Sequence, residues 1–129
     1  MKMLVQGMAI GGAGFVGAVT RWLVAMSIGR IFERQFPLGT LFINVSGSFF
    51  LGWFLTFVAV RYPVPETFRL AVATGFVGAY TTFSTYMHES NALFEKGAQY
   101  EAWGNLIGSV VLGMVAVKLG VILGASRGH

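Results

Sequence analysis

The sequence predicts an all-α membrane protein of four transmembrane helices, and three observations predict it. The chain is 55% hydrophobic and only 11% charged, against about 25% charged in an average soluble domain. Its mean hydropathy is +0.69. Its apolar residues fall into four runs, each close to the roughly 20 residues an α-helix needs to cross a bilayer core. At 129 residues, with no linker or soluble module left over, the whole chain reads as one domain.

The first run spans about Met3 to Ile28 and contains VQGMAIGGAGFVGAVTRWLVAM. Behind a single early Lys2, it is too long for a signal core and reads as a permanent transmembrane helix. Arg30, Glu33 and Arg34, then Pro37, mark a short loop. The second run, about Leu38 to Val60, stops at RYPVPE, where two prolines and charges make a turn. The third, about Thr67 to Leu93, carries GFVGAYTTFSTYMHES, a sequence rich in hydroxyls inside an apolar run. After the loop EKGAQYE, the fourth runs from about Ala102 to Gly124 and leaves ASRGH as a tail. Gly7, Gly11, Gly14 and Gly17 in the first run, and Gly104, Gly108 and Gly113 in the fourth, have the spacing of small residues that let transmembrane helices approach closely.

With four spans, Lys2, Arg61, Arg69 and Arg127 share one side, and Arg30, Arg34 and Lys96 share the other. Lys118 and Arg21, within or near spans, add one to each. So small a bias gives the positive-inside rule little to act on. The chain is therefore expected to insert both ways round, which permits an antiparallel homodimer. The net charge of +4 does not point to nucleic acid, because the basic residues are scattered at the ends of apolar runs, where the membrane interface would hold them. The chain has no cysteine, which excludes disulfides, thiolate metal sites and cysteine catalysis. It also lacks a phosphate-cradling GxxxxGK[ST] loop. Its two histidines, one of them terminal, assemble no nucleophile–base–acid set, so no enzyme is expected.

Polar groups inside lipid are costly and are therefore functional candidates. Arg21 either snorkels to the interface or lines a vestibule that concentrates anions. Asn44 either bonds a neighbouring helix or donates to a passing anion. In the third run Gly75 and Gly78 weaken helix propagation, and the β-branched pair Thr81 and Thr82 follows. Two readings result. The helix breaks and frees carbonyls suited to a hard cation such as Na⁺, or it continues with its hydroxyls bonded to the preceding turn. On the residues alone the continuous helix holds a narrow lead. Phe83 and Tyr86, three apart, share a face if the helix continues. They either pack or offer positive ring edges to an anion, with Thr and Ser hydroxyls as donors; Glu89 lies three further on. His88 and Glu89 are too few ligands for a transition metal.

The motifs TRW (Thr20 to Trp22), PLGTLFINVSG (Pro37 to Gly47) and TGFVGAYTTFST (Thr74 to Thr85), followed by Glu89, resemble those of the Fluc fluoride channels, or CrcB proteins. The resemblance covers nearly the whole chain. It implies a fluoride-selective channel, acting as a dual-topology antiparallel homodimer with two pores in the cell's plasma membrane. It also implies that the third helix breaks mid-membrane, near the dimer centre, where carbonyls from both subunits hold a buried Na⁺. By motif position these are the carbonyls of Gly78 and Thr81. Phe83 and the ring at Tyr86 would line the pore. The hydroxyls of Thr82, Ser84 and Thr85 belong to the same wall, with Asn44 beside the path, Arg21 at the vestibule and Glu89 further along. Asn105 and Ser109 are the counterparts of a polar track on the fourth helix. The chain departs from the pattern at Tyr86, where Phe is typical, at Met87 and His88, which replace small residues, and at Gly113, which often carries a hydroxyl. The alternative is a small proton-coupled multidrug-type transporter, but its membrane-embedded acid is missing from the first run.

Overall fold

The computed structural model describes residues 1–33 and 35–126. Arg34 and Arg127, which enter the charge balance above, lie outside the described residues. Every regular element among the described residues is helical: α1 (Lys2–Ile31), α2 (Leu38–Val60), α3 (Glu66–Leu70), a wide-turn π-helical segment (Ala71–Val77), α4 (Gly78–Tyr80), α5 (Phe83–Glu95) and α6 (Gln99–Ala125). Three helices, α1, α2 and α6, are each long and apolar enough to cross a membrane. The bounds expected for the second run match α2, and α1 and α6 extend a few residues beyond theirs.

The third run differs because it is not one helix. It goes from Glu66 to Glu95 with its ladder interrupted at Thr81 and Thr82, so neither half reaches spanning length. It nonetheless passes from one end of the bundle to the other. At one end Lys2 Nζ lies 3.0 Å from Glu66 Oε2. Toward the other, Thr40 near the start of α2 donates to Glu89.

Two tight seams hold the bundle, and backbone crowding shows why glycine occupies them. Along the parallel pair α2 and α6, a Cβ at Gly52 would lie 2.5 Å from the Val117 carbonyl oxygen, and one at Gly124 would lie 2.7 Å from that of Trp53. A Cβ at Gly120 would run into the Phe49 carbonyl. Along α1 and the wide-turn segment, one at Gly75 would lie 2.6 Å from the Ile10 carbonyl oxygen, and one at Gly17 would meet that of Phe76. The small-residue rule thus holds, although mostly at glycines other than those the spacing singled out. Gly7, Gly11, Gly104 and Gly108 have no neighbour within 4 Å where a Cβ would stand.

The buried apolar core is small, with Ile43, Phe54, Val58, Val77 and Leu93 among its members. Large apolar side chains such as Met8, Phe15, Trp22, Ile107 and Met114 point outward. In water, exposed apolar surface on this scale would drive association; in lipid it is the expected exterior.

Candidate functional site

The interruption in the third run is built from local chemistry. Thr81 is extended, with ψ 160°, and Thr82 follows at φ −151°, ψ 121°. No proline lies nearby. Thr82 instead ends one helix and caps the next: its hydroxyl oxygen accepts from the Thr85 N–H at 3.2 Å, the usual N-cap arrangement. The Thr81 hydroxyl donates back to the Val77 carbonyl at 2.9 Å. The back-bonding expected of a continuous helix is therefore present, and the helix breaks all the same.

Asn44 makes the break possible. Its amide nitrogen donates to the Thr82 carbonyl at 3.0 Å, and its amide oxygen accepts the Thr82 N–H at 2.9 Å. The side chain thus pairs with one residue's backbone as a neighbouring strand would, satisfying both groups that lost helical partners. Because the Thr82 N–H is committed to Asn44, the Gly78 carbonyl four residues earlier loses its helical donor. Just before the break, the wide-turn segment carries its own irregularity, with the Gly78 N–H reaching the Ala73 carbonyl five residues back. Such segments often mark functional sites.

A cavity of about 260 Å³ lies against this break, lined by Asn44, Ser48, Leu51, Thr81, Thr82, Phe83 and Tyr86, among others. The Phe83 and Tyr86 rings meet edge to face, centroids 5.9 Å apart and 74° between planes. Their surroundings differ: Tyr86 is 7% exposed and Phe83 74%. The Tyr86 hydroxyl donates to the Leu106 carbonyl on α6 at 2.6 Å. It anchors the ring and does not project into the cavity.

A second cavity, about 310 Å³, lies further along α2 and is lined by Glu33, Phe36, Pro37, Thr40 and Glu89, among others. There Thr40 donates to Glu89 Oε1 at 2.9 Å, while Glu89 Oε2 is buried without a partner among the described residues. Thr40, Asn44 and Ser48 are spaced by four and so lie along one helix face. Thr40 lines the second cavity, and Asn44 and Ser48 line the first.

The remaining candidates lie around this line. Asn105, 1% exposed, donates to Ser90 at 2.9 Å and accepts from Ser109 at 3.2 Å, so the pair forms a buried network joining α6 to α5. Ser84 is exposed and Thr85 half-buried, and neither lines the first cavity. Arg21 is half-buried on α1, away from both cavities. Gly78 is exposed and Thr81 half-buried. Among the described residues no three His, Cys, Asp or Glu side chains come together. Sequence reasoning passed over Thr40, Tyr80 and Ser90. The four-residue spacing of Thr40, Asn44 and Ser48 was the signal available for the first.

Comparison with known proteins places the chain in a family. A family model described as CrcB-like protein, Camphor Resistance (CrcB), matches residues 8–121. The chain is 44% identical over 123 residues to the fluoride-specific ion channel FluC of Methylococcus capsulatus, covering 95% of this chain and 53% of that protein. The chain thus spans about half the length of that relative. It is 40% identical over 114 residues to fluoride-specific ion channel FluC 1 of Nitrobacter hamburgensis, covering 88% of this chain and 90% of that one. With fluoride-specific ion channel FluC 2 of Mycobacterium tuberculosis it shares 46% identity over 113 residues, covering 88% and 83%. Matched by the family model over all but its two ends, and by these relatives along most of its length, the chain belongs to the CrcB-like (Camphor Resistance) family.

Proposed function

We propose that this chain is a fluoride-specific ion channel that lets fluoride leave the cell passively across the plasma membrane. The observation that carries the reading is the polar face of α2. It runs from the Glu89–Thr40 cavity to the Asn44–Thr82–Phe83–Tyr86 cavity within a largely apolar bundle. Fluoride is small and strongly hydrated. A pore must replace its water with donors while staying too narrow and too demanding for chloride. Amide, hydroxyl and ring-edge groups in series provide that replacement. An inside-negative potential drives the anion outward by about 2.3 kcal/mol per charge per 100 mV, so no energy-coupling motif is needed. The proton-coupled carrier finds no support in the relatives, which are named as fluoride-specific channels.

The working unit in this reading is an antiparallel homodimer of four-span subunits, the broken Glu66–Glu95 segment being the third span. Phe83 supports it, since at 74% exposure its ring can wall a path only if a second copy covers it. Gly7, Gly11, Gly104 and Gly108, unpacked within the chain, offer surfaces for that copy. A Na⁺ held by the carbonyls of Gly78 and Thr81 also fits: the break frees the Gly78 carbonyl from its ladder, and backbone oxygens suit a hard cation. Two carbonyls from one chain are too few for a full shell, so a second copy would supply the rest. When bound, the ion supplies fixed positive charge that draws the two breaks together.

Chain reconstituted in liposomes is expected to release fluoride electrogenically and to retain chloride; retention of fluoride would overturn the channel reading. Phe83→Ala is expected to depress flux by roughly tenfold or more, the scale of a lost ring contact of 0.5–1.5 kcal/mol plus its buried area, while the dimer still assembles. Wild-type efflux from that variant would remove Phe83 from the path. Complete exchange of Na⁺ for N-methylglucamine is expected to reduce flux or dissociate the dimer, and unchanged behaviour in both would count against the cation site.

A further inference from the structure

Thr81 is held from both sides by α2. On its C-terminal side the Asn44 amide grips the Thr82 backbone. On its N-terminal side the Tyr80 hydroxyl lies 2.8 Å from the Ser46 hydroxyl. The Ser46 hydroxyl also lies 3.2 Å from the Ile43 carbonyl, and either hydroxyl of the Tyr80–Ser46 pair can be the donor. The result is a polar cluster that ties Tyr80 to the α2 backbone through Ser46. It ends on Ile43, 1% exposed and among the most buried residues of the protein. The Tyr80 ring is held as well, stacked on Phe76 with centroids 5.9 Å apart and 10° between planes. Between the two grips, Gly47 leaves the space that Thr81 and Tyr80 fill: a Cβ there would collide with the Thr81 methyl and lie 3.3 Å from the Tyr80 ring.

Asn44, Ser46 and Gly47 thus act together on Thr82, Tyr80 and Thr81. The Asn44 grip holds the Thr82 side of the segment, and the Tyr80–Ser46 contact adds a second hold on its other side. We propose that Tyr80 and Ser46 are a positioning pair that sets the direction of the Thr81 carbonyl and so tunes the affinity of the central site for Na⁺. This rests on the cation reading above. Neither hydroxyl touches the ion; both act through the backbone they fix.

The test pairs equilibrium binding of radioactive Na⁺ to the purified full chain with the Na⁺ dependence of its fluoride efflux from liposomes, N-methylglucamine being the replacing cation, for Tyr80→Phe, Ser46→Ala and the double variant; the dissociation constant for Na⁺ and the half-activating concentration are expected to rise together. Each single change is expected to raise the half-activating Na⁺ concentration about three- to tenfold, the range spanned by one hydrogen bond. The double variant should shift no further than either single one, since both remove the same bond. Ser46→Thr, which keeps the hydroxyl, is expected to restore the wild-type value, and the preference for fluoride over chloride should hold throughout. Loss of packing alone would not produce a shift that is shared between the two positions and rescued by a hydroxyl. Unshifted Na⁺ dependence in both single variants, or strictly additive shifts, overturns the positioning role and leaves the cation site standing. Wild-type efflux indifferent to Na⁺ overturns the cation reading itself, and the positioning role with it.

Discussion

Asn44→Ala is expected to abolish fluoride efflux and to destabilise the fold by about 2–4 kcal/mol, the cost of leaving two partly buried backbone groups unpaired. Both groups belong to Thr82, and among the described residues no other group bonds either of them. In lipid the penalty falls on the protein alone, because no bulk water is at hand to replace the amide. The segment then has two escapes: it can re-form a continuous helix, or it can admit water at the break. Either dismantles the cavity lined by Thr81, Thr82 and Phe83. Asn44→Asp separates the two roles of the residue. The carboxylate still accepts the Thr82 N–H but cannot donate to the Thr82 carbonyl, and it brings negative charge beside an anion path. This variant should therefore fold better than the alanine variant and still conduct nothing. Thermal melting in detergent, paired with liposome efflux, reads both effects. An Asn44→Ala protein with wild-type melting and efflux would mean that the break holds without its clamp.

Gly120→Val is expected to prevent folding, costing about 3 kcal/mol or more, beyond the usual range for overpacking. A Cβ at Gly120 runs into the Phe49 carbonyl and lies 2.8 Å from the Trp53 nitrogen. Both are backbone atoms of α2, so no rotamer change relieves the clash, and the α2–α6 seam must open. The control is Gly108→Ala, which meets nothing within 4 Å in the chain and should fold normally. The yield of monodisperse protein on gel filtration distinguishes the two. If Gly108→Ala folds but no longer dimerises, that face of α6 is covered by a second copy. A well-folded Gly120→Val protein would contradict the seam described here.

How far the sequence could be read depended on whether a feature was local. The helices α1, α2 and α6 follow from apolar run length and the punctuation of Pro37 and RYPVPE, and they lie where those signals put them. The break was a closer matter. Gly78, Thr81 and Thr82 weaken a helix, but the group that decides the outcome is Asn44, 38 residues earlier, and spacing within the third run says nothing about it. Only the resemblance tipped the reading toward a break. The same limit applies to Tyr86, whose extra hydroxyl was visible while its acceptor, the Leu106 carbonyl on α6, was not. Glycine spacing found Gly17 but passed over most of the seam, for a related reason. Gly52, Gly120 and Gly124 matter because of the backbone they face, whereas a regular interval within one helix does not reveal which side has a neighbour.

The pairing of Asn44 with Thr82 has a consequence for how this region can change over generations. Asn44 reads main-chain atoms, which every residue except proline presents alike. Position 82 is therefore free to vary as far as the clamp is concerned, its only chemical demand being an oxygen that can cap α5, which Ser, Asp or Asn would also meet. Position 44 has no such latitude, since it must offer a donor and an acceptor at once from a short side chain. Tolerance and intolerance are thus divided unequally across one contact. Drift at position 82 among such residues would leave the break intact, whereas a single change in the less conspicuous helix opposite would erase it.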